Sequence, residues 1–515
     1  MINFGYDIDV SLEEINSPLP PRKVPFDTGV ETEPEGLAPT QPTPSPRVNV
    51  VGPNVTSTTT PVESKPTKKK VKKILIFVII AVVLLLIAGG VFALLKKPEK
   101  QVTLNYWGLW EEESVMQGII ADFESKNPNI KINYKKNQKD GYRGRLGGRL
   151  AKAGEVEDVP DIFRIHNTWI PMFRDNLAIV PKETVANLAI DTDFFDIYKT
   201  DLKEDGEYLS IPLMYDGLVM FYNPELLNKA QVTVPNNWWD LKKSAVKITE
   251  KDANGKIKVA GVALGLTDNV DHWSDVVGVM MKQNGVRLNT LSAENSKKMK
   301  DVLDFYTLFK TSDKVWDESL PNSTQYFPSV NFEISYGPSW RVFDIKSLNT
   351  NLKYEMAPLP QLPTTESVPT DQIGAGAELT NIHWGSYWTE GVSNKSKYQK
   401  EAWKFLEYLA SAESLEKVYK ADSQTRAFGM IYPRKSMAEK ISANSKIKPL
   451  VDTANFATSW YLASETGDDG LNTEMQKYFG DAINSIALKN INSQEAVATL
   501  LTGVAQLQQK YKLIR

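Results

Sequence analysis

Residues 102–134, VTLNYWGLWEEESVMQGIIADFESKNPNIKINY, decide the fold. Residues 102–107 alternate apolar and polar side chains, which predicts a strand, and residues 130–134 repeat the alternation. Between them, residues 114–126 carry apolar side chains at helical spacing, and Pro128 stops that helix. A strand, a helix and a second strand in this order predict a βαβ unit, and hence a largely parallel sheet.

The alternation of strands and helices continues through the body of the chain, residues 101–515. A helix at 146–153 and a strand at 161–165 follow, and Asn254-Gly255 indicates a type I′ hairpin turn. The last third is predicted to be mainly helical, with helices at residues 397–410, 414–421, 471–487 and 493–512. A body of about 400 residues is too long for a single core, so we expect an α/β fold of two lobes.

An uncharged apolar run at residues 74–95, ILIFVIIAVVLLLIAGGVFALL, precedes this body. As a helix it is about 33 Å long, enough to cross a hydrocarbon core of about 30 Å. More lysines precede the run than follow it: Lys65, Lys68, Lys69, Lys70, Lys72 and Lys73 against Lys96, Lys97 and Lys100. The positive-inside rule therefore predicts a single-pass plasma-membrane protein with a cytoplasmic N-terminus and an extracytoplasmic body. A cleaved signal peptide fits less well, because the apolar core is too long.

Residues 1–73 form a different kind of segment, rich in proline and threonine and without tryptophan. Such a composition cannot bury enough apolar surface to offset chain entropy, so we expect a disordered cytoplasmic tail. The chain has no cysteine, which excludes disulfides, thiolate metal sites and lipidation of an N-terminal cysteine. The predicted membrane helix would then be the tether. A net charge of −3 argues against nucleic acid as a partner.

Aromatic side chains stand next to carboxylates, amides and guanidinium groups where predicted strands end. Sugars present apolar C–H faces and rings of hydroxyls, which such combinations bind. In open α/β sheets, ligands bind beyond the carboxyl ends of the strands. The candidate ligand-binding residues are therefore Trp107, Trp110, Glu111, Arg164, His166, Asn167, Trp169, Tyr215, Asp216, His272, Trp273, Trp340, Arg341, Trp384 and Trp388.

Several features have an ordinary structural interpretation. Tryptophans on amphipathic helices are more often core residues, which is our interpretation of Trp239 and Trp403. The three histidines of the chain lack the spacing of metal ligands, so we expect no metal site and no cofactor. The Gly-rich run at residues 141–149 fits no phosphate-binding motif and is interpreted as a loop and helix start, although its arginines could contact an anionic ligand.

The body resembles the extracellular solute-binding proteins of ABC importers, the family that contains maltose-binding protein. The resemblance begins at residues 104–108 (LNYWG) and 160–163 (PDIF), which look like the first strands of that family. Its most specific stretch is residues 211–227 (IPLMYDGLVMFYNPELL), which is similar to the segment that crosses between the lobes. Residues 336–340 (YGPSW) and 357–360 (APLP) look like the return crossing, and residues 400–409 (KEAWKFLEYL) look like a helix of that family's last third, so the resemblance covers about 400 residues.

The resemblance implies two α/β lobes joined by crossovers, with the ligand between them. The first lobe is expected at about 101–212 and 352–395, and the second at about 218–345 and 400–515. It also implies a binding protein rather than an enzyme, without catalytic residues. Such a protein closes on a carbohydrate, with an oligosaccharide as the expected ligand, and delivers it to ABC permease subunits. We expect a monomer. The tail and the membrane helix depart from the family pattern.

Two other functions stay open at this point. A receptor with the same fold would sense a ligand outside the cell and signal through residues 1–73. A glycoside hydrolase would need two carboxylates facing each other across the cleft, and no motif in the sequence places such a pair.

Overall fold

The computed structural model describes residues 80–81, 100–287, 292–329, 332–364, 378–424 and 427–513. The chain divides into two units, Met1–Ala93 and Leu94–Arg515, and the sheets belong to the second unit. The predicted tail at 1–73 and nearly all of the predicted membrane helix at 74–95 lie outside the described residues. Within the described ranges, no helix is long and apolar enough to span a bilayer.

The body contains short strands and helices in alternation. The strands are β1 Val102–Gly108, β2 Ile130–Lys136, β3 Ile162–His166, β4 Lys203–Glu204, β5 Glu207–Tyr208, β6 Ile211–Pro212, β7 Leu218–Tyr222, β8 Glu250–Lys251, β9 Ile257–Val262, β10 Phe332–Pro338, β11 Glu355–Ala357, β12 His383–Trp384, β13 Trp388–Val392 and β14 Ala457–Thr458. The α-helices are α1 Glu113–Lys126, α2 Tyr142–Ala151, α3 Ile170–Phe173, α4 Lys182–Asn187, α5 Ile190–Asp193, α6 Ile197–Asp201, α7 Pro224–Ala230, α8 Trp238–Ile248, α9 Trp273–Gln283, α10 Ala293–Thr311, α11 Ser323–Tyr326, α12 Arg341–Leu348, α13 Gln399–Leu409, α14 Ala412–Asp422, α15 Lys435–Ala438, α16 Lys448–Thr453, α17 Leu471–Lys489 and α18 Ser493–Lys510.

The first sheet has the strand order β2-β1-β3-β13-β6. β1 pairs in parallel with both β2 and β3, and Val102 lies opposite Ile130. The predicted βαβ unit is therefore confirmed as β1, α1 and β2. β13 runs antiparallel to its neighbours β3 and β6, because it enters this sheet from the second lobe. The expectation of a largely parallel sheet is correct for this sheet apart from that one strand. It is wrong for the second sheet, in which only β10 and β9 pair in parallel and the other neighbours are antiparallel.

The second sheet has the order β11-β7-β10-β9-β8. The chain leaves the first sheet at Pro212 and enters the second at Leu218, so the crossing predicted within residues 211–227 is confirmed. The return was expected by residue 352, and that boundary is wrong. β11 still pairs with β7, because its three residues cover the open edge of that strand. The return to the first sheet lies between Ala357 and Trp388.

The predicted hairpin around Asn254-Gly255 is present, since β8 and β9 pair antiparallel. Its turn type was predicted incorrectly. A type I′ turn needs a positive φ at both central residues, whereas here Gly255 has a φ of +82° and Asn254 does not have a positive φ. The amide of Gly255 donates to the carbonyl of Asp252 at 2.9 Å and closes the turn.

The assignment of residues 400–515 to the second lobe is wrong for some of the C-terminal helices. α13 packs on the first sheet, where the ring of Phe405 lies 6.0 Å from that of Tyr106 and 5.0 Å from that of Phe123. Lys417 of α14 pairs with Asp122 of α1 at 2.6 Å. The short connection from β13 to α13 keeps both helices on the first lobe. α17 and α18 pack against α10 of the second lobe, as expected.

Candidate ligand-binding site

A cavity of about 570 Å³ opens where the two lobes meet. The first lobe contributes Trp110, which follows β1, and Trp388, which begins β13. The crossover from β6 to β7 contributes Tyr215 and Asp216, and Trp340 follows β10 of the second sheet. The cavity therefore lies at strand ends and crossovers, as expected for an open α/β sheet. Its volume is in the usual range for small-molecule sites, about 300–1,000 Å³.

Aromatic rings stand on both sides of this cavity. On the first-lobe side, the rings of Trp110 and Trp388 meet edge to face at 5.4 Å. On the second-lobe side, the guanidinium carbon of Arg341 lies 4.4 Å from the centre of the Trp340 ring. Phe343 and Phe428 line the cavity as well, with their ring centroids 5.4 Å apart. Flat apolar faces of this kind suit the C–H faces of a ring-shaped ligand.

Asp216 lines the cavity and connects the first crossover to the segment that follows β10. Its Oδ1 accepts hydrogen bonds from the amides of Gly217 at 2.7 Å and Ser339 at 3.0 Å, and its Oδ2 accepts one from the Ser339 hydroxyl at 2.9 Å. Burial raises the pKa of this carboxyl to about 6, although the three hydrogen bonds oppose the shift. Asp216 therefore fixes the segment after β6 to the segment after β10, beside any ligand in the cavity.

His166 ends β3 and presents a neutral ring to the cavity. Its Nδ1 lies 2.8 Å from the Thr168 hydroxyl, and its Nε2 lies 3.0 Å from the Ser386 hydroxyl. Burial lowers the pKa of this imidazole to about 3. The ring also meets Trp388 edge to face at 5.2 Å, so it holds the indole in place.

Behind Trp110 and Trp388 lies a buried cluster of charges. Arg164 on β3 contacts Glu111 at 2.6 Å and Glu390 of β13 at 2.5 Å. Burial alone would lower the pKa of the guanidinium, but the two carboxylates outweigh it and raise that pKa. The predicted residues Arg164 and Glu111 thus do not line the cavity; they fasten together the strand ends that carry its tryptophans.

His272 and Arg341 play a comparable part on the second-lobe side. The Nε of Arg341 donates to Nε2 of His272 at 2.9 Å, and Nδ1 of His272 lies 3.0 Å from Asp275. The His272 ring meets Trp340 edge to face at 5.7 Å. Neither residue lines the cavity, so the structure places both behind the Trp340 ring as its support.

Five other predicted residues lie away from the cavity. Trp169 and Trp384 are each 1% exposed, Trp107 is 4% exposed, Asn167 is directed toward Asp201 at 2.9 Å, and Trp273 is half-buried between the two core clusters. The structure places these five residues outside the cavity, because their side chains are enclosed by packing or held by internal partners. Of the predicted residues, the cavity brings together Trp110, His166, Tyr215, Asp216, Trp340 and Trp388.

The structure adds residues that sequence reasoning missed. The additional lining residues are Glu112, Lys139, Met214, Pro338, Ser339, Phe343, Ser386, Asp422, Phe428, Gly429, Met430, Ile431, Ser464 and Glu465. Most belong to loops that enter the cavity from distant parts of the chain, and nothing local marks them. Gly429 is the exception. A Cβ at this position would lie 2.4 Å from the Tyr419 carbonyl oxygen, so only glycine allows the two backbone segments to approach this closely.

The Gly-rich run at 141–149 supplies α2, and its arginines have protein partners. Arg143 donates to the carbonyls of Asp468 at 2.5 Å and Asp469 at 3.0 Å. Arg145 donates to the carbonyl of Gln138 at 2.6 Å. Neither arginine lines the cavity, so the interpretation as a loop and helix start fits better than an anion site there. Among the described residues, no group of His, Asp or Glu side chains is arranged to hold a metal ion.

Two α/β lobes with a cavity at their crossovers define the class of two-lobed binding proteins. The family described as bacterial extracellular solute-binding protein matches residues 107–416, and the chain belongs to that family. The multiple sugar-binding protein of Streptococcus mutans is 24% identical over 367 residues, which cover 69% of this chain and 80% of that protein.

Solved structures share the fold over nearly their whole length. The sugar-binding protein MalE from Xanthomonas citri has a TM-score of 0.61 at 18% identity, and covers 80% of this chain and 98% of its own. An ABC transporter solute-binding protein from Thermotoga lettingae, bound with alpha-D-tagatose, has a TM-score of 0.57 at 18% identity, and covers 79% and 99%. Likeness at these identities establishes the two-lobed α/β fold.

Proposed function

We propose that this chain captures a carbohydrate, specifically an oligosaccharide, and delivers it to an ABC permease. The observation that carries the proposal is the pairing of Trp110 and Trp388 on one lobe with Trp340 on the other, around a single cavity that also exposes the polar edges of Asp216 and His166. Aromatic faces bind the C–H faces of sugar rings, and the polar groups between them bind hydroxyls. The sugar-binding names of the relatives agree with this chemistry.

Closure on the ligand uses the crossovers as a hinge. One crossover joins β6 to β7, and the return joins β11 to β13. Because the tryptophans belong to different lobes, a sugar that contacts all of them favours the closed form. The permease would recognise that closed form. The predicted helix at 74–95 would hold the body at the outer membrane face, in the place of the lipid that a chain without cysteine cannot carry.

Titration calorimetry on the full chain in lipid nanodiscs tests the ligand class. The sugar panel contains maltotetraose, mannotriose and tagatose, which are bound in structures of relatives, and peptides and polyamines serve as the comparison. Heat with at least one sugar supports the proposal. Heat with peptides or polyamines alone would refute the carbohydrate assignment.

A matched pair of tryptophan variants tests the site. Trp340→Ala removes the platform of the second lobe and should weaken sugar binding about tenfold, which corresponds to about 1.4 kcal/mol. Trp239→Ala is the control, because Trp239 packs on Phe305 at 5.5 Å and lies outside the cavity. If the two variants bind the sugar with equal affinity, this cavity is not the sugar site.

A further inference from the structure

A second cavity, of about 710 Å³, shares no lining residue with the first. Parts of both lobes form it: Asn167 and Asp201 on the first lobe, and Lys282 at the end of α9 on the second. His166 lines the first cavity and the next residue, Asn167, lines the second, so the end of β3 separates them. Neither the tryptophans of the proposed sugar site nor Asp216 reach this cavity.

The lining of the second cavity has an excess of positive charge. Among the described residues, five Lys and Arg side chains line it against three Asp and Glu side chains. Two of the cations already have acidic partners, since Arg174 contacts Glu204 at 2.7 Å and Lys203 contacts Asp191 at 2.8 Å. The other three, Lys282, Arg287 and Lys512, have no carboxylate at ion-pair distance anywhere in the described part of the chain.

Lys282 is the most confined of these cations. Burial lowers the pKa of its ammonium group, and the charge of Asp201 opposes that shift only in part. Asp201 is held by other groups, since its Oδ2 accepts hydrogen bonds from Asn167 at 2.9 Å, Tyr387 at 3.0 Å and Ser459 at 2.8 Å. A cation withdrawn from water without a close counterion is stabilised by an anion that binds beside it.

The wall next to these cations is aromatic. Trp460 and Tyr461 both line the cavity, with ring centroids 5.9 Å apart. We propose that the second cavity binds a small organic anion, with its carboxylate or phosphate group on Lys282 and Arg287 and its carbon skeleton against Trp460. Since it shares no lining residue with the first cavity, this site is separate from the sugar site and not an extension of it.

Calorimetry on the full chain in nanodiscs at constant ionic strength tests the proposal. The probes are citrate, inorganic phosphate and AMP, with adenosine as the neutral match to AMP. We expect saturable heat with at least one of citrate and AMP, and none with adenosine. Absence of saturable binding for every anion, or equal binding of AMP and adenosine, would overturn the proposal.

Two lysine variants locate the binding. Lys282→Gln should weaken anion binding at least tenfold. Lys446→Gln is the control and should leave it unchanged, because burial lowers the pKa of Lys446 too but its ammonium lies 3.7 Å from the Tyr354 ring, outside the cavity. Arg287→Gln, at an exposed position, should weaken anion binding less than Lys282→Gln does. It is the test variant if Lys282→Gln does not fold. Trp340→Ala should leave anion binding unchanged. Equal losses in the Lys446 and Lys282 variants, or no loss in either cavity variant, would refute the location.

Discussion

Replacing Arg164 by methionine should destabilise the protein far more than replacing Glu390 by glutamine, although both changes break the same ion pair. The side chains of Arg164, Glu111 and Glu390 are 2%, 5% and 0% exposed. Methionine leaves the carboxyl groups of Glu111 and Glu390 enclosed without a cation. Removal of one partner from a buried ion pair costs about 3–5 kcal/mol, which is a large part of the 5–15 kcal/mol that stabilises a typical domain.

Glutamine at position 390 keeps most of the cluster. Its amide oxygen can still accept from Arg164 and from the hydroxyl of Tyr106, which lies 3.0 Å from the Glu390 carboxylate. Arg164 also retains its contact with Glu111 at 2.6 Å. The amide is neutral, as Glu390 itself is at pH 5, so at pH 5 the free energy of unfolding should fall by only about 1 kcal/mol.

Glu390 also makes the stability of the protein depend on pH. Burial raises the pKa of Glu390 from 4.5 to about 7, although Arg164 opposes the shift. The folded state binds the proton of Glu390 more tightly than the unfolded state does. This proton's contribution to folding stability is therefore complete below the unfolded pKa and is lost as pH rises through about 7. The rise of this pKa from 4.5 to about 7 corresponds to about 3 kcal/mol. The wild-type protein should lose stability between pH 5 and pH 8, and Glu390→Gln should lose about 2.5 kcal/mol less over that interval.

Urea unfolding of the full chain, followed by tryptophan fluorescence at pH 5 and pH 8, measures both effects. Arg149→Met is the control and should change stability by less than about 0.5 kcal/mol. The Arg149 side chain is exposed, and within the described part of the chain its one hydrogen bond goes to the Glu157 carbonyl at 3.2 Å. The reasoning fails if Arg164→Met costs no more than Glu390→Gln, or if the glutamine variant keeps the pH dependence of the wild type.

Three further outcomes follow from single residues. Asn223→Ala should lower the free energy of unfolding by about 1 kcal/mol in urea titrations, because the Asn223 side chain caps α7 by accepting from the amide of Glu225 at 3.0 Å; an unchanged value would contradict this. Gly217→Ala should lower the melting temperature by an amount equivalent to about 1–3 kcal/mol, since its Cβ would lie 2.4 Å from the backbone oxygen of Trp384, and full stability would show that the crossover can shift. The His166 ring should show no protonation step by NMR between pH 5 and pH 8, because burial lowers its pKa to about 3; a midpoint in that window would be inconsistent with the enclosed ring.

The sequence predicts the parts of this fold that local periodicity determines. The alternation at 102–107 and the apolar stripe at 114–126 are local signals, and the structure forms β1 and α1 there. The lobe to which a helix belongs is not a local property. α13 has the same kind of apolar stripe as α17, yet it packs on the first lobe because β13 delivers the chain there. Such assignments depend on strand pairing across more than two hundred residues, as between β13 and β3.

The two tryptophans at 384 and 388 show the same limit at the site itself. Both follow the sequence rule that aromatic side chains near strand ends serve a ligand, but Trp388 lines the cavity and Trp384 is enclosed in the second lobe. A Cβ at Gly278 would lie 2.5 Å from the Trp384 ring, so that glycine makes the space the ring fills. The Nε1 of Trp384 donates to Asp275 at 2.8 Å, one turn before Gly278 on α9. Gly278 and Asp275 therefore exclude Trp384 from the site. They stand about a hundred positions earlier in the chain, so the sequence around Trp384 itself does not show this.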